Sequence, residues 1–178
     1  MRQIFILLFF FILYSCNSVK VTYDFDKEAK YDQYKTYAFF PQFHSGLSEL
    51  DQRRLVRVLE DYMGQHGFAK VNEDPDFYLN VTSAIYEVPS GGSSVGIGVG
   101  GTGGNVGGGM SVGIPVGQPS FKRELVFDLV DVAADALFWQ AVCQVSVPSG
   151  QDSPSKREAI LTNIVEKAFS NYPPQIKK

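Results

Sequence analysis

Two hydrophobic periods alternate along the chain, and the places where one gives way to the other mark out its elements. Val21 to Asp26 and Thr36 to Phe40 are short runs rich in β-branched and aromatic residues, the second closed by Pro41, and both read as strands. From Ser48 the period lengthens: Leu55, Val58, Leu59 and Tyr62 fall on one helical stripe that Gly64 and Gly67 are expected to end. Ser48-Glu49-Leu50-Asp51 ahead of it has the pattern of a capping box. Period two returns at Asp76, with Phe77, Leu79, Val81 and Ile85 pointing one way and Tyr78, Asn80, Thr82 and Tyr86 the other. Glu124 to Val132 repeats it with Leu125, Phe127 and Leu129 inward, and Ala133 to Ala136 turns the chain into a strand over Phe138 to Val147. There Trp139, Ala141, Cys143, Val145 and Val147 share a face, so Cys143 is expected to be a small buried hydrophobe. Ser155 with Glu158 offers a second capping box, followed by the stripe Leu161, Ile164, Val165 and Ala168 until Pro173 and Pro174.

Two amphipathic helices among half-buried strands predict an α+β fold: a two-layer sandwich, its sheet mostly antiparallel, with both helices on one face. The other sheet face is then left open, and Tyr78, Asn80, Thr82, Tyr86, Gln140 and Gln144 are its candidate binding residues, with Ser146 beside them. Residues 90–120 break the composition. Most of the chain's 17 glycines lie there, alternating with Val95, Ile97 and Val99 and again with Met110, Val112, Ile114 and Val116, which suits either a Gly-rich hairpin or a Gly-rich loop insert.

The N-terminus reads as an address. Arg2 precedes an unbroken apolar run from Ile4 to Leu13, too short for the roughly 20 residues of a membrane-spanning helix and suited to the h-region of a secretory signal. Leu13-Tyr14-Ser15-Cys16 follows, resembling a bacterial lipobox with Cys16 as the lipid acceptor. Residues 1–15 are therefore expected to be a signal peptide, 16–20 the lipidated Cys and a tether, and 21–178 a single domain carrying the insert. Two or more acyl chains, palmitate among them, make attachment stable, where one would be marginal. Position +2 is Asn17 rather than Asp, and no acidic run follows, which favours the periplasmic side of the outer membrane over the inner membrane.

Charge and chemistry narrow the function. With 16 basic and 19 acidic residues the net charge is −3, so no electrostatic footprint for nucleic acid exists. Acylation of Cys16 leaves Cys143 as the one thiol, which excludes a disulfide within the chain and a cysteine-rich zinc site. Gly96-Ile97-Gly98-Val99-Gly100-Gly101 satisfies G-x-G-x-x-G, yet more glycine follows where a dinucleotide site needs a helix to begin. No catalytic triad is expected from His44, in a loop, and His66, at the end of the first helix where its charge suits the dipole. Asp24 and Asp26, and the cluster Glu73, Asp74 and Asp76 around Pro75, could pair as acid and base or hold calcium, but acids flanking a proline are ordinary turn composition. No cofactor, metal or catalytic group is assigned.

The order of motifs resembles a bacterial lipoprotein family known only as domain-of-unknown-function family 4136. Tyr23-Asp24-Phe25-Asp26, Tyr34-Lys35-Thr36-Tyr37-Ala38-Phe39, Pro75-Asp76-Phe77, the Gly-rich insert, Leu125 to Asp131, Phe138-Trp139 and Tyr172-Pro173 carry the likeness over nearly all of the chain after Cys16. It differs where members often place a Thr-Gly turn before the Trp, since here the turn is Ala133 to Ala136. The resemblance implies an α+β domain at the outer membrane and brings no activity. The expected function is thus a membrane-tethered, non-enzymatic binding or envelope-assembly module with an envelope protein or glycan as partner. The alternatives are an envelope hydrolase, glycan-directed and using acidic residues, and a self-associating structural protein whose Gly-rich arms add strands to one another.

Overall fold

A computed structural model describes residues 19–88, 94–95, 114–115, 120–147 and 152–175. The predicted signal peptide, Cys16 and most of the Gly-rich insert lie outside them. The elements are β1 (Lys20–Phe25), a 3-10 turn (Tyr31–Gln33), β2 (Thr36–Phe39), α1 (Glu49–Gln65), β3 (Ala69–Lys70), β4 (Phe77–Val88), β5 (Ser94–Val95), β6 (Ile114–Pro115), β7 (Ser120–Asp131), β8 (Ala136–Ser146) and α2 (Pro154–Phe169).

Six strands form one sheet in the order β1-β8-β7-β4-β2-β3, antiparallel through β1, β8, β7 and β4, while β2 runs parallel to both β4 and β3. The parallel pair follows from connectivity, because a strand that returns beside its predecessor after a helix points the same way. Both helices cover one face, as the two stripes require, so the chain is a two-layer α+β sandwich. Leu55, Leu59 and Met63 of α1 and Ile164, Val165, Ala168 and Phe169 of α2 are buried against Phe77, Leu79, Val81, Leu125, Phe127, Leu129, Trp139, Ala141 and Cys143. Cys143 is wholly buried, and that burial pushes its thiol up to about 12.

Three local expectations are corrected. Ile85 keeps the facing of Phe77 and Val81 but is 52% exposed, because β4 runs on past the helices that cover its first half. The N-cap of α2 is Ser153, whose hydroxyl accepts the Lys156 N–H; Pro154 takes the first helical position, where its missing N–H costs nothing, and Ser155 is already inside the helix. Gly64 lies within α1, so the chain leaves the helix through His66 and Gly67, the latter at φ +85°. The first cap is as expected, with the Ser48 hydroxyl accepting the Asp51 N–H, although it also donates to the Asp51 carboxylate in place of the reciprocal bond of a full box.

Two irregularities shape the end of the sheet where the helices finish. The register of β7 on β8 shifts between Leu129 and Val130, so that Leu129 pairs with Trp139 and Val130 with Leu137. Phe138 is the extra residue, and the bulge turns it and Trp139 into the core together, leaving Leu137 exposed. The turn that follows β7 is closed by the Asp131 carboxylate accepting the Ala134 N–H, and Asp135 occupies the left-handed region at φ +49°, one of the few non-glycine types that tolerates it. The insert is described at one place, the ladder Ser94 to Pro115 and Val95 to Ile114.

Candidate functional site

The C-terminal ends of α1 and α2 and the segment after β1 meet at the bulged end of the sheet and enclose a cleft of about 590 Å³. Each wall is set by local chemistry. After β1, the Asp26 side chain accepts the Glu28 N–H at 2.8 Å and turns the chain into the 3-10 turn. That turn presents Tyr31, whose hydroxyl lies 2.9 Å from both the Asp26 and Phe138 carbonyl oxygens, and Tyr34, which donates to Asp131 Oδ2 at 2.7 Å. The Tyr34 ring stacks on the bulged Phe138 at 4.1 Å. Opposite, Tyr62 stacks on His66 at 3.9 Å, and His66 Nδ1 sits 2.7 Å from the Tyr62 carbonyl oxygen. The expected helix-end role of His66 is therefore what the geometry shows. The left-handed Gly67 then sends Phe68 back under the helix to meet Phe77 and Tyr172 edge-on.

The result is a cleft walled by aromatic rings with a basic rim: Tyr31, Tyr34, Tyr62, His66, Phe68, Phe169 and Tyr172, with Lys30 and Lys35 beside them and Asp32 as the single acidic residue lining it among the described residues. Burial pushes Tyr31 and Tyr34 up to about 12, reinforced by the Asp26 charge at Tyr31 and by the bond to Asp131 at Tyr34, so both are protonated donors at neutral pH. Burial also raises Tyr172. Its hydroxyl and the Trp139 Nε1–H beneath it are buried with no hydrogen-bond partner among the described residues, while the two rings meet edge-on at 5.4 Å. Such orphaned polar atoms are uncommon in native folds.

The residues expected to form a binding face share the side of the sheet away from the helices. Tyr78, Asn80, Thr82 and Tyr86 lie on β4 and Gln140 and Gln144 on β8, with β7 between the two strands, in the cross-strand rows Asn80-Asp128-Gln140 and Glu124-Gln144. Much of their polarity is spent internally: Gln140 donates to Asp128 at 2.7 Å and Gln144 to Glu124 at 3.1 Å, while Tyr78 packs edge-on against Phe40. At one end of this face Gln140 lines a recess of about 260 Å³ together with Asp24, Asp26 and Leu137.

Three of the acidic candidates, Asp24, Asp26 and Asp76, serve the backbone. Asp24 Oδ1 accepts the Phe25 N–H, and Asp76 Oδ2 accepts the N–H groups of Lys35 and Thr36 at 2.8 and 2.7 Å. Backbone donation from Lys35 and Thr36 outweighs partial burial and holds Asp76 below the usual carboxylate range; the Tyr34 hydroxyl and the Ala134 N–H do the same for Asp131. A general acid in glycoside cleavage needs the opposite shift. Among the described residues no three His, Cys, Asp or Glu side chains come together as a metal site would require. A second, smaller cavity of about 170 Å³ lies at the other end of the helices, lined by Asp51, Arg123, Asp152 and Arg157 with apolar neighbours. Burial pushes Asp51 up, but bonds from Ser48, Arg54 and Arg157 more than offset it.

The cleft was not legible in the sequence, because its walls come from three separated segments and depend on a bulge and a left-handed glycine. The available signal was aromatic density: Tyr31, Tyr34 and Tyr37 every third residue, and Phe169 and Tyr172 at the end of the last helix.

Fold and cleft together define an open-faced α+β sandwich with an aromatic recess at one end. The chain belongs to the family described as "Domain of unknown function (DUF4136)", whose model matches residues 21–174. No curated protein matches it. Among solved structures it is similar to a PDZ domain protein from Parabacteroides distasonis, at a TM-score of 0.55 and 11% identity over 89% of this chain and 36% of that one. It spans about a third of that protein's length, and the likeness concerns the fold alone. PelC dodecamers from Paraburkholderia phytofirmans align at a TM-score of 0.45 with 12% and 13% identity, covering 86% and 90% of this chain and 95% and 100% of theirs.

Proposed function

We propose that the protein is a non-enzymatic binding module, anchored through lipid on Cys16 to the periplasmic side of the outer membrane, that takes a glycan segment into the aromatic cleft. The observation that carries this is the cleft itself. Sugar rings present flat C–H faces that lie against aromatic rings, and hydroxyls that need hydrogen-bond partners. Here rings stand beside the polar groups of Lys30, Lys35, Asp32 and His66 in a recess of the size that holds small ligands. Its tyrosines are held in place before any ligand arrives, since Tyr31 and Tyr34 are bonded to the sheet end, and preorganisation lowers the cost of binding. The anchor is supported by the lipobox-like Leu13 to Cys16, and the outer membrane by Asn17 at the next position.

Co-sedimentation with peptidoglycan sacculi, competed by soluble N-acetylglucosamine oligomers, tests the binding. Losing one aromatic contact is worth about 1 kcal/mol, roughly fivefold in affinity, so Tyr62→Ala should weaken retention by about that factor while the domain stays folded. Retention that survives Tyr62→Ala but is lost in Tyr78→Ala or Gln140→Ala would move the site to the open sheet face. Absence of retention in the parent protein would reject a glycan ligand.

A further inference from the structure

The end of the sheet remote from the cleft gathers features that the binding reading leaves unexplained. β1 begins there, with Lys20 opposite Gln144; β4 ends there and β7 begins, with Val88 opposite Ser120; both helices start there, tied by Arg157 to Asp51 at 2.8 Å. Beyond the cover of the helices, Ile85 and Phe121 occupy diagonal positions on one face of the β4–β7 ladder, the first pairing with Arg123 and the second with Glu87, and they are 52% and 47% exposed. On the reverse face Tyr86, exposed as well, pairs with Lys122. This end therefore presents two large apolar side chains, an amphipathic tyrosine and the cations Lys20 and Lys122, with Glu87 as an exposed anion beside Phe121; apolar side chains ringed by a tyrosine and cations suit a lipid headgroup boundary.

Chain length says which surface that is. Cys16 lies four residues before Lys20, a reach of at most about 14 Å. Phe121 stands two strands across from β1 and three residues along, and Ile85 one strand further, so both are within about 20 Å of Lys20. A tether this short cannot hold the other end of the sandwich at the bilayer and leave this one free of it.

We propose that this end of the sheet is a membrane-docking face: Ile85 and Phe121 enter the interfacial layer of the leaflet that holds the Cys16 lipid, with Tyr86 at headgroup level and Lys20 and Lys122 against anionic headgroups. This rests on the lipid-anchor reading and adds an orientation to it, since the cleft then points away from the membrane.

The test uses the lipidated full-length protein in vesicles of phosphatidylethanolamine and phosphatidylglycerol. Acylated Cys16 and buried Cys143 do not label, so a cysteine introduced as Phe121→Cys, Ser120→Cys or, at the cleft end, Gly67→Cys can carry one fluorophore. Doxyl-labelled lipids should quench probes at 120 and 121 several-fold more than the probe at 67, and Lys122→Glu should narrow the difference. Equal quenching at the two ends in protein that floats with the vesicles overturns the docking face and leaves the anchor standing. Failure to float overturns both. A probe at 121 that is shielded yet unquenched by lipid puts the insert or a second copy over Phe121 and overturns the proposal as well.

Discussion

Gly46 shows how much one residue can be asked to do. Its φ is +71°, a left-handed conformation, and a Cβ built on it would stand 2.8 Å from the Ser83 carbonyl oxygen of β4. The loop that carries it is pinned from the other side by Ser45, fully buried, whose N–H and hydroxyl both donate to Gln52 Oε1 at 2.9 Å. Gly67 has a similar φ, +85°, but nothing within 4 Å of where a Cβ would lie. Gly67→Ala should therefore cost about 1 kcal/mol for backbone strain alone, and Gly46→Ala about 2 to 3 kcal/mol because strain and collision add. Denaturant unfolding of the two variants decides it, and equal costs would show that the loop moves aside freely.

Asp76 is the second single-residue case, since one carboxylate oxygen receives two backbone N–H groups that start β2. Its pKa is lowered in the folded state, so its contribution to stability is complete above the unfolded value of about 4 and is lost as pH falls through the folded value. Asp76→Asn should lower stability at pH 7 by about 1.5 kcal/mol and flatten the fall in stability below about pH 4. An unchanged acid slope in the variant would mean that other carboxylates carry it. Cys143, buried and with its thiol pushed up to about 12, should resist a maleimide in the native protein and react once unfolded. Rapid native labelling would place β8 in a different register.

At the scale of elements, sequence and structure agree where one period runs unbroken under a uniform cover. Leu55, Val58 and Leu59 on α1, and Phe77, Leu79 and Val81 on β4, are buried as their spacing requires, because burial and period report the same face. Agreement stops where the cover stops. Ile85 continues the alternation and is exposed, since period fixes a side chain's direction but cannot say how far the opposing layer extends. The bulge at Phe138 is hidden for a related reason: two adjacent apolar residues read as one inward and one outward until the pairing partner is known. The open-face residues were accessible from period alone, whereas the cleft depends on that bulge. The long β4–β7 ladder makes its own prediction. Its pairing is continuous from Phe77 opposite Asp131 to Val88 opposite Ser120, so the sheet closes before the insert begins. Replacing residues 91–117 by a short Gly-Ser linker should change the thermal midpoint by no more than a few degrees, because each glycine removed had little to pack and much entropy to lose. A deletion that unfolds the domain would show that the insert is part of the core.

At the scale of the whole molecule, function is divided between two ends. The twelve residues of β4 span roughly 40 Å, which separates Phe121 and Ile85 from the rings around Tyr62 and Tyr31 by most of the length of the domain. Substitutions that far apart, with no shared partners, act independently to within about 0.5 kcal/mol. Membrane contact and ligand capture should then come apart cleanly. Tyr62→Ala should weaken sacculus binding about fivefold and leave the depth of a probe at Ser120→Cys unchanged. Ile85→Asp with Phe121→Asp should do the reverse, withdrawing that probe from the lipid while sacculus binding in detergent stays as it was. Combined, the substitutions should show the two defects side by side, with neither enlarged. The measurement is a double-mutant cycle read by lipid quenching and by co-sedimentation. A coupling above about 1 kcal/mol would mean that the ends communicate through the sheet, and the division into an anchoring end and a capturing end would fall.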